Sequence, residues 1–164
     1  METLLTRRNL IAFAWAFSLV SIAGAWTFEA LGYAPCQLCY WQRYPHYAAI
    51  AIGLVALVTR WYWLAWIGAV AAAATAAVGA YHTGVERMWW AGPASCSGSD
   101  LSGLSSEQLL EQLTAAPLVR CDEIPWRVSD AIPFEILDIT MANLNALGSF
   151  VIIFVWLAAA RARD

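Results

Sequence analysis

The chain has 164 residues, of which 61% are apolar and only 13% charged, and its mean hydropathy is +0.58. A soluble domain carries about 25% charged and about 45–50% apolar residues, so a single water-exposed globule could not hide this much apolar surface. Lys is absent, nine Arg stand against twelve acids and the net charge is −3, which excludes the basic footprint of a nucleic-acid-binding protein.

The first element is Asn9–Phe28, a run of 20 residues without Asp, Glu, Lys or Arg. A bilayer-spanning helix needs roughly 17–25 predominantly apolar residues. Arg7 and Arg8 before the run imitate a signal peptide, but no small-residue cleavage site follows and more apolar runs come later, so it reads as a retained span. A short segment, Glu29–Arg43, leads into the second run, Tyr44–Thr59. At about 1.5 Å per residue its 16 residues reach about 24 Å, short of the roughly 30 Å hydrocarbon core. The helix must therefore borrow a turn from Tyr40–Arg43.

Arg60 marks a tight turn into the third run, Trp61–Val85, whose interior is largely Ala and Gly, suited to close helix contact at the centre of a bundle. Trp61, Tyr62, Trp63 and Trp66 read as an interfacial aromatic belt. After the long segment Glu86–Asp138 comes the fourth run, Ile139–Ala160. Backbone polar groups in lipid must be satisfied internally, so the runs are helices. The expected fold is an all-α membrane protein, a four-transmembrane-helix bundle forming one membrane domain over 1–164. Its spans lie at about 9–28, 40–59, 61–82 and 139–160, and its outer loops at about 29–39 and 83–138.

Four spans place both termini on one side. Arg7, Arg8, Arg60, Arg161 and Arg163 fall there, whereas the long loop holds three Arg against nine acids. Short cytoplasmic segments carry the Arg excess, so the termini are expected in the cytoplasm and both Cys-bearing loops outside.

All four Cys lie in those loops: Cys36 and Cys39 in the short one, Cys96 and Cys121 in the long one. An even count in an oxidising compartment suggests two disulfides; four Cys allow three connectivities, of which local spacing favours Cys36–Cys39 with Cys96–Cys121. A bridge over two residues is a weak staple but the usual arrangement for reversible thiol chemistry. Cys39 falls near a helix start, whose positive potential favours a thiolate. Arg43 is one turn on along the same face, with His46 three residues further. A charge at the membrane edge is costly unless it snorkels or has a partner; Arg43 alone reads equally as a snorkelling Arg, and Cys39 one turn away favours the functional reading. Cys96 lies in an exposed, turn-rich stretch, Gly92–Ser99. Cys121 follows a short amphipathic helix expected around Ser106–Leu113, capped by Ser105 or Ser106. A four-Cys metal site is disfavoured because the second pair lacks close spacing, so no metal is expected.

These residues resemble the DsbB/BdbC family of disulfide bond formation proteins. The likeness runs through Pro35-Cys36-Gln37-Leu38-Cys39, Tyr40-Trp41-Gln42-Arg43, Tyr81-His82-Thr83-Gly84-Val85-Glu86 and Cys121-Asp122-Glu123-Ile124-Pro125-Trp126. It implies a bacterial inner-membrane oxidoreductase that takes electrons from a periplasmic thioredoxin-fold, DsbA-like dithiol protein and passes them to membrane quinone, ubiquinone or menaquinone. Cys96 and Cys121 would form the disulfide that the partner attacks, and electrons would reach Cys36 and Cys39 by exchange. Arg43 matches the family Arg beside the quinone, and His82 is a second candidate for that pocket. Asp122 and Glu123 read as solvated loop charges. Two alternatives remain at this level: a thiol-redox membrane protein running in the reductive direction, and a non-catalytic subunit with structural disulfides. Val128–Asp138 is longer and more acidic than the family pattern and suggests an interfacial helix, with Ile132, Phe134, Ile136 and Leu137 on the membrane.

Overall fold

The computed structural model describes residues 6–93, 96, 105–107, 119–131 and 138–162. Among them the fold is all-helical. Its long elements are α1 (Arg7–Ala30), α2 (Gln37–Thr59), α3 (Ala65–Glu86) and α4 (Met141–Arg161). Two single 3₁₀ turns, Tyr62–Leu64 and Val128–Asp130, and one antiparallel bridge between Arg127 and Thr140 complete the described backbone. The amphipathic helix expected around Ser106–Leu113 lies mostly outside the described residues, although Ser106 and Glu107 are helical. The apolar residues of the expected interfacial helix, 132–137, also lie outside them.

Helix starts follow local chemistry. Thr6 caps α1 by accepting from the Asn9 N–H at 3.3 Å, and Thr140 caps α4 reciprocally with Asn143. Arg60 ends α2 in the left-handed region at φ 61° and turns the chain at once into the 3₁₀ segment before α3. The third helix therefore begins four residues after the start of the charge-free run Trp61–Val85 and ends at Glu86, one residue past that run and one turn past the expected span end at 82.

The helices form a closed ring, α1 against α2, α2 against α3, α3 against α4 and α4 against α1. Small residues permit the close approaches. A Cβ on Gly68 would fall 2.6 Å from the Trp156 ring, so this glycine is the notch that admits the fully buried Trp156 from α4. Gly53 serves Trp15 in the same way, and the Trp15 indole donates to the Ile50 carbonyl at 3.0 Å. Outward positions are apolar instead: Phe13, Val20, Val58, Val70, Val151 and Phe154 are all exposed. Three segments, Arg7–Ala30, Tyr62–Glu86 and Met141–Arg161, are long and apolar enough to cross a membrane, which fits a multi-pass membrane protein.

The first and last helices finish side by side. The Arg7 guanidinium donates to the Ala162 carbonyl and lies 5.6 Å from the centre of the Tyr62 ring, and Arg161 lies over Trp66 at 5.3 Å. The start of α1, the α2–α3 turn and the end of α4 thus share one end of the bundle. The cysteines occupy the other.

Candidate redox site

Pro35 keeps the backbone before α2 extended, and Cys36 becomes the N-cap, its sulfur accepting from the Cys39 N–H at 3.3 Å. The cap leaves Cys39 in the first turn, where unpaired N–H groups create positive potential. The two cysteines are unbonded here, with the Cys36 S–H donating to the Cys39 sulfur at 3.0 Å, so the expected Cys36–Cys39 partners lie side by side. That hydrogen bond, reinforced by burial, pushes the Cys36 thiol well above its ordinary value.

Cys96 and Cys121 are joined by a disulfide, with Cα atoms 5.4 Å apart and the Cys121 N–H donating to the Cys96 carbonyl at 2.8 Å. Both are fully buried, against the expectation that Cys96 occupies an exposed turn. The pair packs on Leu38 of α2 and Val85 of α3, which draws this part of the long loop onto the bundle end. The consequence is a meeting of the two Cys pairs: the Cys36 sulfur, the Cys121 sulfur and a His82 ring nitrogen lie within 4.8 Å of one another. Such a trio also has metal-ligand types, but the Cys121 sulfur is already bonded to Cys96.

Below this cluster opens a cavity of about 710 Å³. Its walls are apolar, with Phe17, Val20, Ile22, Leu144 and Leu147, and Cys39, Arg43, His46 and His82 line it as well. Arg43 is only 8% exposed. Its charge is matched by Glu29 at the end of α1, 2.8 Å away; a second guanidinium nitrogen donates to the Ala25 carbonyl at 3.4 Å, and the Tyr40 ring lies 5.2 Å off. The spacing argument that put Cys39, Arg43 and His46 on one face is met, since all three line the same cavity.

Sequence reasoning missed the polar web behind His82. Gln42 donates to the Leu38 carbonyl at 3.3 Å, and its amide nitrogen lies 2.8 Å from His82 Nδ1. Asn145 of α4 donates to Gln42 Oε1 at 2.7 Å and to Thr75 Oγ1 at 3.1 Å, and its own oxygen faces His46 Nε2 at 2.8 Å. Glu86 is also buried, receiving the Thr140 hydroxyl at 2.6 Å. A usable signal existed, because polar residues inside spans are expensive and reserved for function or packing. Glu123 stays at the loop surface, whereas the Asp122 side chain, expected as a solvated charge, is only 10% exposed: Arg120 donates to Asp122 at 3.0 Å, holding its carboxyl below the usual range, and reaches Glu123 at 3.5 Å.

The comparisons agree with this geometry. The family model described as "Disulfide bond formation protein DsbB" matches residues 7–159. The chain belongs to the DsbB family. It is thus a membrane disulfide bond formation protein, an oxidoreductase by family, and membership implies a periplasmic partner in a disulfide relay. An uncharacterized protein of Rickettsia prowazekii (strain Madrid E) is 29% identical over 136 residues, covering 79% of this chain and 74% of that relative. No solved structure matches the chain.

Proposed function

We propose that this DsbB-family chain is a thiol:quinone oxidoreductase of a bacterial inner membrane that re-oxidises a periplasmic thioredoxin-fold dithiol protein. In this reading α2 is the fourth span, its polar early turns turned inward toward the cavity, and the bundle end bearing the cysteines faces the periplasm. The Arg excess at the opposite end supports that orientation.

The observation that carries the proposal is the approach of Cys36 and Cys121 within 4.8 Å. Thiol–disulfide exchange requires a thiolate to reach a sulfur of the opposing disulfide. A partner thiolate attacks Cys96, and the Cys96–Cys121 bond breaks with its electron pair going to Cys121. The partner's second thiolate then displaces Cys96, so the partner leaves as a disulfide. Cys121 attacks Cys36 of an oxidised Cys36–Cys39 pair and releases Cys39 as a thiolate. Cys96 then attacks Cys121, restoring Cys96–Cys121 and releasing Cys36. The sum is one disulfide made in the partner and one dithiol left at Cys36 and Cys39, with the partner's two protons transferred. That sequence would end with one closed pair beside two thiols, the same bonding as Cys96–Cys121 beside free Cys36 and Cys39.

The cavity suits a quinone: apolar walls accommodate a prenylated ring, and its polar end presents Cys39 and a desolvated Arg43. A bound quinone supplies the acceptor, taking up two electrons and two protons to become a quinol. Cys39 and Arg43 would hold it, with His82 beside them; the guanidinium keeps negative charge on the Cys39 sulfur favourable in a low-dielectric pocket. Quinone reduction by the purified protein in detergent, with a reduced thioredoxin-fold donor, tests the reading. Turnover should vanish with Cys39→Ser and weaken with Arg43→Ala. Absence of quinone reduction from every dithiol donor overturns it.

A further inference from the structure

Which nitrogen of His82 carries its proton follows from its neighbours. The Leu38 carbonyl accepts from the Gln42 side chain at 3.3 Å, so the group at that position is the amide nitrogen. The same nitrogen is 2.8 Å from His82 Nδ1, which must therefore accept. The far side of the amide agrees, because Gln42 Oε1 receives the Asn145 amide at 2.7 Å and Asn145 in turn donates to Thr75 Oγ1 at 3.1 Å. At the other edge of the imidazole, the groups that Nε2 meets among the described residues are acceptors. The Cys121 carbonyl is at 3.1 Å, the Cys36 sulfur at 3.6 Å and a Glu86 carboxylate oxygen at 4.0 Å. Both edges give one tautomer, with the proton on Nε2.

We infer that Gln42 is a positioning residue that locks His82 as its Nε2–H tautomer, so that His82 donates a hydrogen bond to the Cys36 sulfur whenever that sulfur carries charge. Gln42 is 7% and His82 3% exposed, so water does not supply a substitute donor cheaply. The inference rests on the proposed relay for the moment at which it acts. As Cys96 attacks Cys121, the Cys36–Cys121 bond breaks, the electron pair passes to Cys36, and Nε2–H meets the resulting thiolate. No proton leaves the imidazole in this step. The opposite tautomer would aim a lone pair at both the Cys121 carbonyl and the departing thiolate.

Two measurements test this independently of quinone turnover. Only two His are present, so nitrogen-15 spectra of histidine-labelled protein in detergent are easily assigned with His46→Phe. In the His46→Phe protein, His82 should read as the Nε2–H tautomer, and adding Gln42→Met should yield a tautomer mixture. An Nδ1–H signal for His82 with Gln42 intact overturns the inference even if no variant of Gln42 folds. Reactivity is the second readout. In a Cys39→Ser background with Cys96–Cys121 closed, the alkylation of Cys36 by a small neutral reagent is followed against pH. Gln42→Met should move the profile up by about one pH unit, a tenfold loss of thiolate at fixed pH. His82→Ala should do the same, and the double variant should show no further shift. Additive shifts, or no shift with Gln42→Met, refute the claim that Gln42 acts through His82. A protein that fails to reduce quinone yet shows these two results would defeat the proposed electron acceptor and leave the positioning role standing.

Discussion

If Cys36 and Cys121 are the exchanging sulfurs, removing their resting partners should drive them together. The perturbation is the double variant Cys39→Ser/Cys96→Ser, which leaves one thiol from each loop. Their sulfurs begin no more than 4.8 Å apart and need to close to about 2.05 Å, a shift of under 3 Å shared between two side chains. The native bridge closes a separation of 25 residues; in the loop-entropy relation this is worth roughly 3.5 kcal/mol, whereas the new bridge, spanning about 85 residues, is worth about 4.6 kcal/mol. The oxidised variant should therefore resist unfolding at least as well as the parent, by up to about 1 kcal/mol. Intact mass after mild oxidation should fall by about 2 Da, non-reducing gels should show a compact monomer, and a reductant should reverse both while lowering the thermal midpoint. Two titratable thiols persisting in a folded, oxidant-treated variant would refute the placement of these loops and the exchange route with it.

Other outcomes follow from packing and charge. Gly68→Val should disrupt the α3–α4 contact by about 1–3 kcal/mol through collision with Trp156, read as a lowered unfolding midpoint in detergent, whereas Gly24→Ala, with nothing within 4 Å of its Cβ, should be neutral. Thr140→Val should cost about 1–3 kcal/mol by stripping Glu86 of the hydroxyl it receives and α4 of its N-cap, and Glu86→Leu should recover only the share owed to the buried carboxyl in the same assay. For the loop clamp, Arg120 lowers the Asp122 carboxyl, so the bond is present above the ordinary carboxylate range and is lost as pH falls through that lowered value. The protection of amides around Cys121, taken relative to their intrinsic exchange rates, should thus be constant from pH 7 to about 4 and fall below it, by no more than the ~1 kcal/mol of a partly exposed pair; Arg120→Gln should remove this change in protection.

Much of this architecture is legible in the amino-acid order because it is set locally. Charge-free runs announce three helices, and Arg60 in its tight turn is where the second ends. The second helix is harder: Gln42 and Arg43 delay the start of its apolar run and His46 interrupts it, and all three are buried, so the polarity of this helix is internal. Glu86 reads as a loop charge yet closes α3 in a buried position, which the Thr140 hydroxyl, 54 residues away, helps to make tolerable. Within the site, Cys39, Arg43 and His46 follow from helical spacing alone. The docking of Cys121 beside Cys36 does not, because it depends on how a long loop folds back over Leu38 and Val85. The role of Gln42 is likewise invisible without Asn145, which comes from the last helix.

Cys36 does two jobs with one sulfur atom, and they are thermodynamically linked. It terminates the backbone of α2 by accepting the Cys39 N–H, and in the proposed relay it carries an electron pair. A thiol or thiolate is the better acceptor for that N–H; a sulfur shared with Cys121 or Cys39 is a poorer one. Each oxidation of Cys36 therefore loosens the first turn of α2, and each reduction winds it back. By reciprocity, any substitution that strengthens this helix start makes the pair harder to oxidise, and any that frays it makes oxidation easier. The secondary structure of a single helical turn thus becomes a tuning element for electron flow.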